Sequence, residues 1–131
     1  MNPTQGRRVL VICSGLGIGQ LIAEILSIDR GDEVKVAHEV TTCQLIVQEW
    51  FPDLVICEPD SLKSYQRSCQ VPGLENTPII LALNMPLKEA SDRCLRQGVS
   101  GYLFHPFSAD ELIAAHDAVL RGKTYYPWEA D

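Results

Sequence analysis

The sequence predicts an alternating α/β domain, a parallel β-sheet with helices on both faces. Three observations predict it. Apolar runs rich in β-branched residues recur along the chain, each too short for a helix and bounded by turn residues. Between them lie stretches whose apolar residues fall at helical spacing. Strand and helix alternate five times, and parallel neighbours joined by right-handed crossovers put helices on both sides of the sheet.

The elements follow in order. Val9 to Cys13, between Arg7-Arg8 and a glycine-rich stretch, reads as a strand buried on both faces. After Gly15, Gly17 and Gly19, the residues Ile18, Leu21, Ile22, Ile25 and Leu26 form one helical stripe, ending near Ser27 to Gly31. Val34 and Val36, with Val40 as a further candidate, mark a second strand. Thr41-Thr42 is the expected cap of a helix that carries Leu45, Ile46, Trp50 and Phe51 toward the core and stops at Pro52. Leu54 to Cys57 is the third strand, and the Pro/Ser/Gln/Gly-containing stretch over 59–77 has room for one short irregular helix. Pro78 to Leu83 is a fourth strand, 87–97 a helix stopped by Gly98, and Gly101 to Phe104 the last strand. Ser108-Ala109-Asp110-Glu111 has the form of a capping box, and it opens a final helix with Leu112, Ile113, Ala115, Val119 and Leu120 that ends at Gly122.

With 131 residues, 46% hydrophobic and 21% charged, the composition suits one compact domain with a buried core. A formal charge of −6 argues against binding of nucleic acid or an anionic membrane by this chain itself, because that affinity rests on clustered Lys and Arg. Five cysteines, at 13, 43, 57, 69 and 94, include no Cys-x-x-Cys pair, so neither a zinc site nor a disulfide framework is indicated. Reduced thiols in the cytoplasm are the expectation. The polar start of the chain leads into only five apolar residues, Val9 to Cys13, too few for a signal peptide or a membrane span.

Three phrases carry a resemblance: Pro52-Asp53-Leu54-Val55-Ile56-Cys57-Glu58, Pro78-Ile79-Ile80, and Gly98-x-x-Gly101-Tyr102-Leu103 leading to His105-Pro106-Phe107. Over roughly Arg8 to Gly122 the chain resembles the receiver domain of response regulators. That resemblance implies a flavodoxin-like, doubly wound sheet of strand order 2-1-3-4-5. The ending, Ala118 to Lys123 followed by Tyr125-Tyr126-Pro127, is similar to receivers that precede a LuxR-type DNA-binding domain. Residues 1–122 are therefore expected to form the domain and 123–131 to begin a linker to an output domain.

The resemblance also identifies what has changed. Active receivers bind Mg²⁺ through two acids after strand one and an acceptor aspartate after strand three. Cys13 and Ser14 stand at the acid pair and Glu58 at the acceptor. The family's phosphoryl-anchoring lysine is His105 and its hydroxyl switch residue is Leu83, whereas the partner aromatic persists as Tyr102, followed by Pro106 and Phe107. The implied protein is a pseudo-receiver: no enzyme, no metal and no cofactor, acting by protein–protein contact. A homodimer is expected through the helix at 87–95, the stretch 102–107 and the helix at 112–121, with an output domain or regulatory protein as the other partner.

Alternatives stay open. Glu58 has the charge to mimic a phosphorylated acceptor permanently. Val11 to Gly17 is also similar to the phosphocysteine loop of sugar-phosphotransferase IIB proteins, with Cys13 as the nucleophile. The glycine stretch can receive an anion, but Gln20 stands where a dinucleotide fingerprint needs glycine. A less charged pocket at Cys13, Ser14 and His105 suits a small regulatory ligand. Cys13 and Cys57 end neighbouring strands as a candidate redox pair, with buried structural thiols as the plainer reading. His38 and His116 read as surface or cap residues.

Overall fold

The computed structural model describes residues 6–14, 16–69, 76–83, 98–104 and 106–126. The expected helix over 87–97 and the predicted site residue His105 lie outside the described residues, as does Cys94. Five strands are present: β1 Arg8–Ile12, β2 Glu33–Ala37, β3 Leu54–Cys57, β4 Ile79–Leu83 and β5 Gly101–Phe104. They form one parallel sheet of order β2-β1-β3-β4-β5, as the resemblance implied. Helices α1 Leu16–Arg30, α2 Val40–Glu49, α3 Pro59–Ser68 and α4 Ala109–Leu120 complete the described elements.

The period-two alternation of strand side chains divides the core into two layers. Leu10, Ile12, Val55, Cys57, Leu81, Leu83 and Tyr102 face α2 and α3, whose Cys43, Val47, Leu62 and Tyr65 pack on them. Val9, Val11, Leu54, Ile56, Ile80 and Leu103 face α1 and α4, meeting Ile22, Leu26, Leu112, Ala115 and Val119. Both layers are apolar because β1, β3 and β4 are covered on both faces, which is why these strands read as continuous apolar runs.

Three expectations need correction. Val40 does not extend β2; it opens α2, whose N-cap is Glu39 rather than Thr41 or Thr42, with no side-chain capping bond. Cys43, Val47 and Trp50 make the buried stripe and Ile46 packs beside it, half-buried, while Leu45 is 69% and Phe51 49% exposed. Trp50 is fixed by an indole hydrogen bond to Glu33 Oε1 at 3.0 Å and by the Lys35 ammonium 5.0 Å from its ring. Second, the stretch after Pro59 is a regular helix of 10 residues, started by a proline at a position that needs no amide donor. Third, the glycine stretch is largely helix: Gly17 and Gly19 lie within α1. A Cβ on Gly19 would stand 2.8 Å from Val36 Cγ1, so this glycine lets α1 approach β2 closely.

The capping box of α4 forms as read, with Ser108 Oγ accepting from the Glu111 amide at 3.1 Å and the Ser108 amide donating to Glu111 Oε1 at 3.3 Å. Past α4 the chain turns back toward the sheet, and Tyr125 makes a parallel bridge to Gly101 at the outer edge of β5.

Candidate functional site

Doubly wound sheets present their sites beyond the carboxyl ends of the strands. Here the register does the placing. Ile12 pairs with Cys57 and with Ala37, so the residues that follow these strand ends become neighbours. The ladder continues past the ends: the Cys13 amide donates to Ala37 O at 3.0 Å and the Glu58 amide to Ile12 O at 3.2 Å.

Glu58 is the centre of the arrangement. Cys13 Sγ donates to its Oε1 at 3.2 Å, the Ser14 amide donates to Oε1 at 3.1 Å, and Ser14 Oγ lies 3.3 Å from Oε1 and 3.0 Å from Oε2. The structure thus brings together Cys13, Ser14 and Glu58, three of the residues predicted from sequence. Cys13 and Glu58 share one side of the sheet and Cys57 the other, because Cys13 belongs to the α1/α4 layer and Cys57 to the α2/α3 layer. The proposed Cys13–Cys57 redox pair is therefore split by the sheet.

Beside Glu58 lies a cavity of about 20 Å³, lined by residues that include Val11, Cys13, Ile56, Ala82 and Phe107. Between the described residues that is room for about one water. Ala82, not Leu83, is the β4 residue that borders it. Leu83 instead packs in the opposite layer, opposite Phe104 in the register. Phe107 is half-buried against the α1/α4 layer, and Pro106 is exposed. Tyr102 is fully buried, stacked on Tyr126 with ring centroids 5.4 Å apart and tilted against Phe104 at 5.1 Å.

His38 was missed as a neighbour of this site. Its Nδ1 lies 2.8 Å from the Cys13 carbonyl, which accepts, so the proton sits on Nδ1. The signal was available in the topology: His38 follows the end of β2 as Cys13 follows that of β1. His38 is exposed, as read from the sequence, but the reading of His116 needs correction. Far from being a surface residue, it is fully buried, with Nε2 2.6 Å from Asp32 Oδ2 and Nδ1 2.7 Å from Asp117 Oδ1.

A receiver's Mg²⁺ does not fit the donor set at Glu58. A hard divalent cation needs several oxygen ligands, and the groups around this carboxylate are a thiol, a hydroxyl and an amide that all point protons at it. Among the described residues no group of three or more His, Cys, Asp or Glu side chains is placed to hold a metal ion.

The other described thiols are set for packing. Burial pushes Cys43 and Cys57 up to about 12, helped by the charge of Cys69 on the first and of Cys43 and Glu58 on the second, and burial raises Cys69 as well. A thiol held protonated is a poor nucleophile. At the amino ends of the strands a larger, polar hollow of about 350 Å³ opens between Arg7, Asp53, Ser100 and Lys123, and none of the described residues predicted for the site lines it. Among the described residues no helix is long and apolar enough to cross a membrane.

No protein-family model matches the chain, and no curated protein matches it. Solved structures do. A candidate response regulator from Chloroflexus aurantiacus superposes with a TM-score of 0.77 at 20% identity, over 89% of this chain and 99% of that one. NtrX from Brucella abortus gives 0.76 at 23% identity over 90% of this chain, which spans 28% of the NtrX chain. A LuxR-family two-component response regulator from an Aurantimonas species gives 0.74 at 15% identity, covering 92% and 89%. The chain has the receiver fold, a flavodoxin-like sheet of order 2-1-3-4-5. At these identities the likeness is one of fold.

Proposed function

We propose that this chain is a receiver-like signalling module that acts through protein contact, without aspartyl phosphotransfer and without a bound metal. The observation that carries the reading is the state of Glu58. Its two oxygens are engaged by Cys13 and Ser14, so the carboxylate ties β3 to β1 where a phosphoryl acceptor would face a cation and solvent. A carboxylate held by several donors is a weak nucleophile, and the neighbouring donors offer nothing to neutralise an incoming phosphoryl group except hydrogen bonds. The phosphocysteine alternative is disfavoured by the same geometry, because Cys13 is buried and its thiol is directed at Glu58.

In this reading the chain works in the cytoplasm, as a homodimer or docked on an output domain or regulatory protein, with any DNA contact made elsewhere. The test is mass spectrometry and calorimetry of the chain with Mg²⁺ and acetyl phosphate or beryllofluoride. The expected result is no adduct and no binding heat. A phosphoryl adduct on Glu58 would return the chain to the switching receivers, and one on Cys13 would favour phosphocysteine chemistry.

A further inference from the structure

The segment after α4 behaves as a rudimentary sixth strand. The Tyr125 amide donates to Ser100 O at 3.0 Å, and Tyr125 O accepts from the Tyr102 amide at 3.1 Å. Successive side chains then fall on opposite faces of the sheet, as a strand requires. Tyr125 packs on the α1/α4 layer and Tyr126 on the α2/α3 layer, so the two rings grip β5 from both sides. Tyr126 stacks on Tyr102 and donates its hydroxyl to Val99 O at 2.8 Å. Gly101 makes the approach possible, since a Cβ there would stand 3.0 Å from Tyr125 O and 3.2 Å from Tyr125 Cβ.

We infer that residues 124–126 are a strap that closes the β5 edge and holds Tyr102 inward, and that its release opens this edge to a second copy of the chain. The occupant follows from the edge itself. With the strap gone, Ser100 O and the Tyr102 amide lose the partners they have in Tyr125, and these are the groups that an incoming strand would pair with. Two such edges are identical and self-complementary about a two-fold axis, which is the usual basis of homodimers. The strap thus covers part of the surface on which a receiver-like dimer would be expected, and it couples whatever follows the domain to the packing of Tyr102. None of this depends on the chemistry at Glu58.

The test uses the full chain and two variants that release the strap differently. Tyr126→Ala removes the stacked ring and its hydroxyl, and Tyr125→Pro removes the amide donated to Ser100. Hydrogen exchange should find the Tyr102 amide protected in the wild type and faster in both variants by at least about tenfold, the worth of a lost hydrogen bond with its packing. Amides of Leu10 and Ile56 should stay protected, which shows that the domain remains folded. Sedimentation velocity should then find more dimer in the variants than in the wild type at equal concentration. The inference is overturned by a wild-type Tyr125 amide exchanging at open-chain rate, or by folded variants that associate no more than the wild type. Because neither readout involves phosphoryl transfer, its failure leaves the reading of Glu58 untouched, and the reverse holds as well.

Discussion

The two ends of the sheet treat charge in opposite ways. At the carboxyl end one half-buried carboxylate, Glu58, is held by an amide, a hydroxyl and a thiol. At the amino end four charged or titratable groups are joined in a chain: Asp32 to His116, His116 to Asp117, and Asp117 to Arg30 through two hydrogen bonds of 3.1 and 2.7 Å. Asp32 also accepts from the Arg7 amide at 2.9 Å. Where active receivers gather acids around a metal, this chain has neutral donors; where chemistry is absent, it buries charges to fasten the α1–β2 turn to α4.

The largest effect should come from breaking the buried end. His116 and Asp32 have no exposed side-chain surface, so His116→Leu leaves Asp32 a buried carboxylate short of a partner. The expected cost is about 3 kcal/mol, read from urea unfolding midpoints. Adding Asp32→Asn removes the stranded charge while an oxygen remains to accept from the Arg7 amide, and should recover at least half of the loss. A double variant no more stable than His116→Leu would mean that packing, not charge, sets the cost.

A smaller effect should appear in acid. Burial alone would push Asp117 up, but hydrogen bonds from Arg30 and His116, with their charges, outweigh it and hold its carboxyl below the ordinary value. A lowered folded value means stability that is present above the unfolded carboxylate range and is lost as pH falls through the folded value. The difference in stability between the wild type and Asp117→Asn should therefore be full near neutral pH and shrink below the ordinary carboxylate range. A gap that stayed constant into that range would remove the ionic account.

Much of this was legible in the sequence, and the boundary is physical. Strands buried on both faces announce themselves as unbroken apolar runs, and the capping box of α4 is local, so both were readable from neighbours in the chain. The stripe of α2 was legible only in part, at Ile46 and Trp50, because its start lacks a side-chain cap and its apolar residues Leu45 and Phe51 offer a second, competing face. Cys13, Ser14 and Glu58 could be picked by position, but their bonding to each other depends on the register of β1 and β3. His116 and Asp32 are separated by 84 residues, and nothing local marks a histidine on an amphipathic helix as buried and paired.

The smallest effect is at Glu58 and separates two meanings of that residue. If the carboxylate matters as an acceptor, Glu58→Gln keeps one oxygen for Ser14 or Cys13 but turns an amide toward the other donors, and should cost roughly 1 kcal/mol. Oligomeric state and protection of the Tyr102 amide should not change, since both depend on the β5 edge and not on charge at β3. If Glu58 instead locks a state by mimicking a phosphorylated acceptor, removing its charge should shift the population between states with little loss of stability. Sedimentation and exchange on this one variant, beside its unfolding midpoint, decide between them: loss of stability alone makes Glu58 a tie between strands, and altered association at unchanged stability makes it a fixed signal.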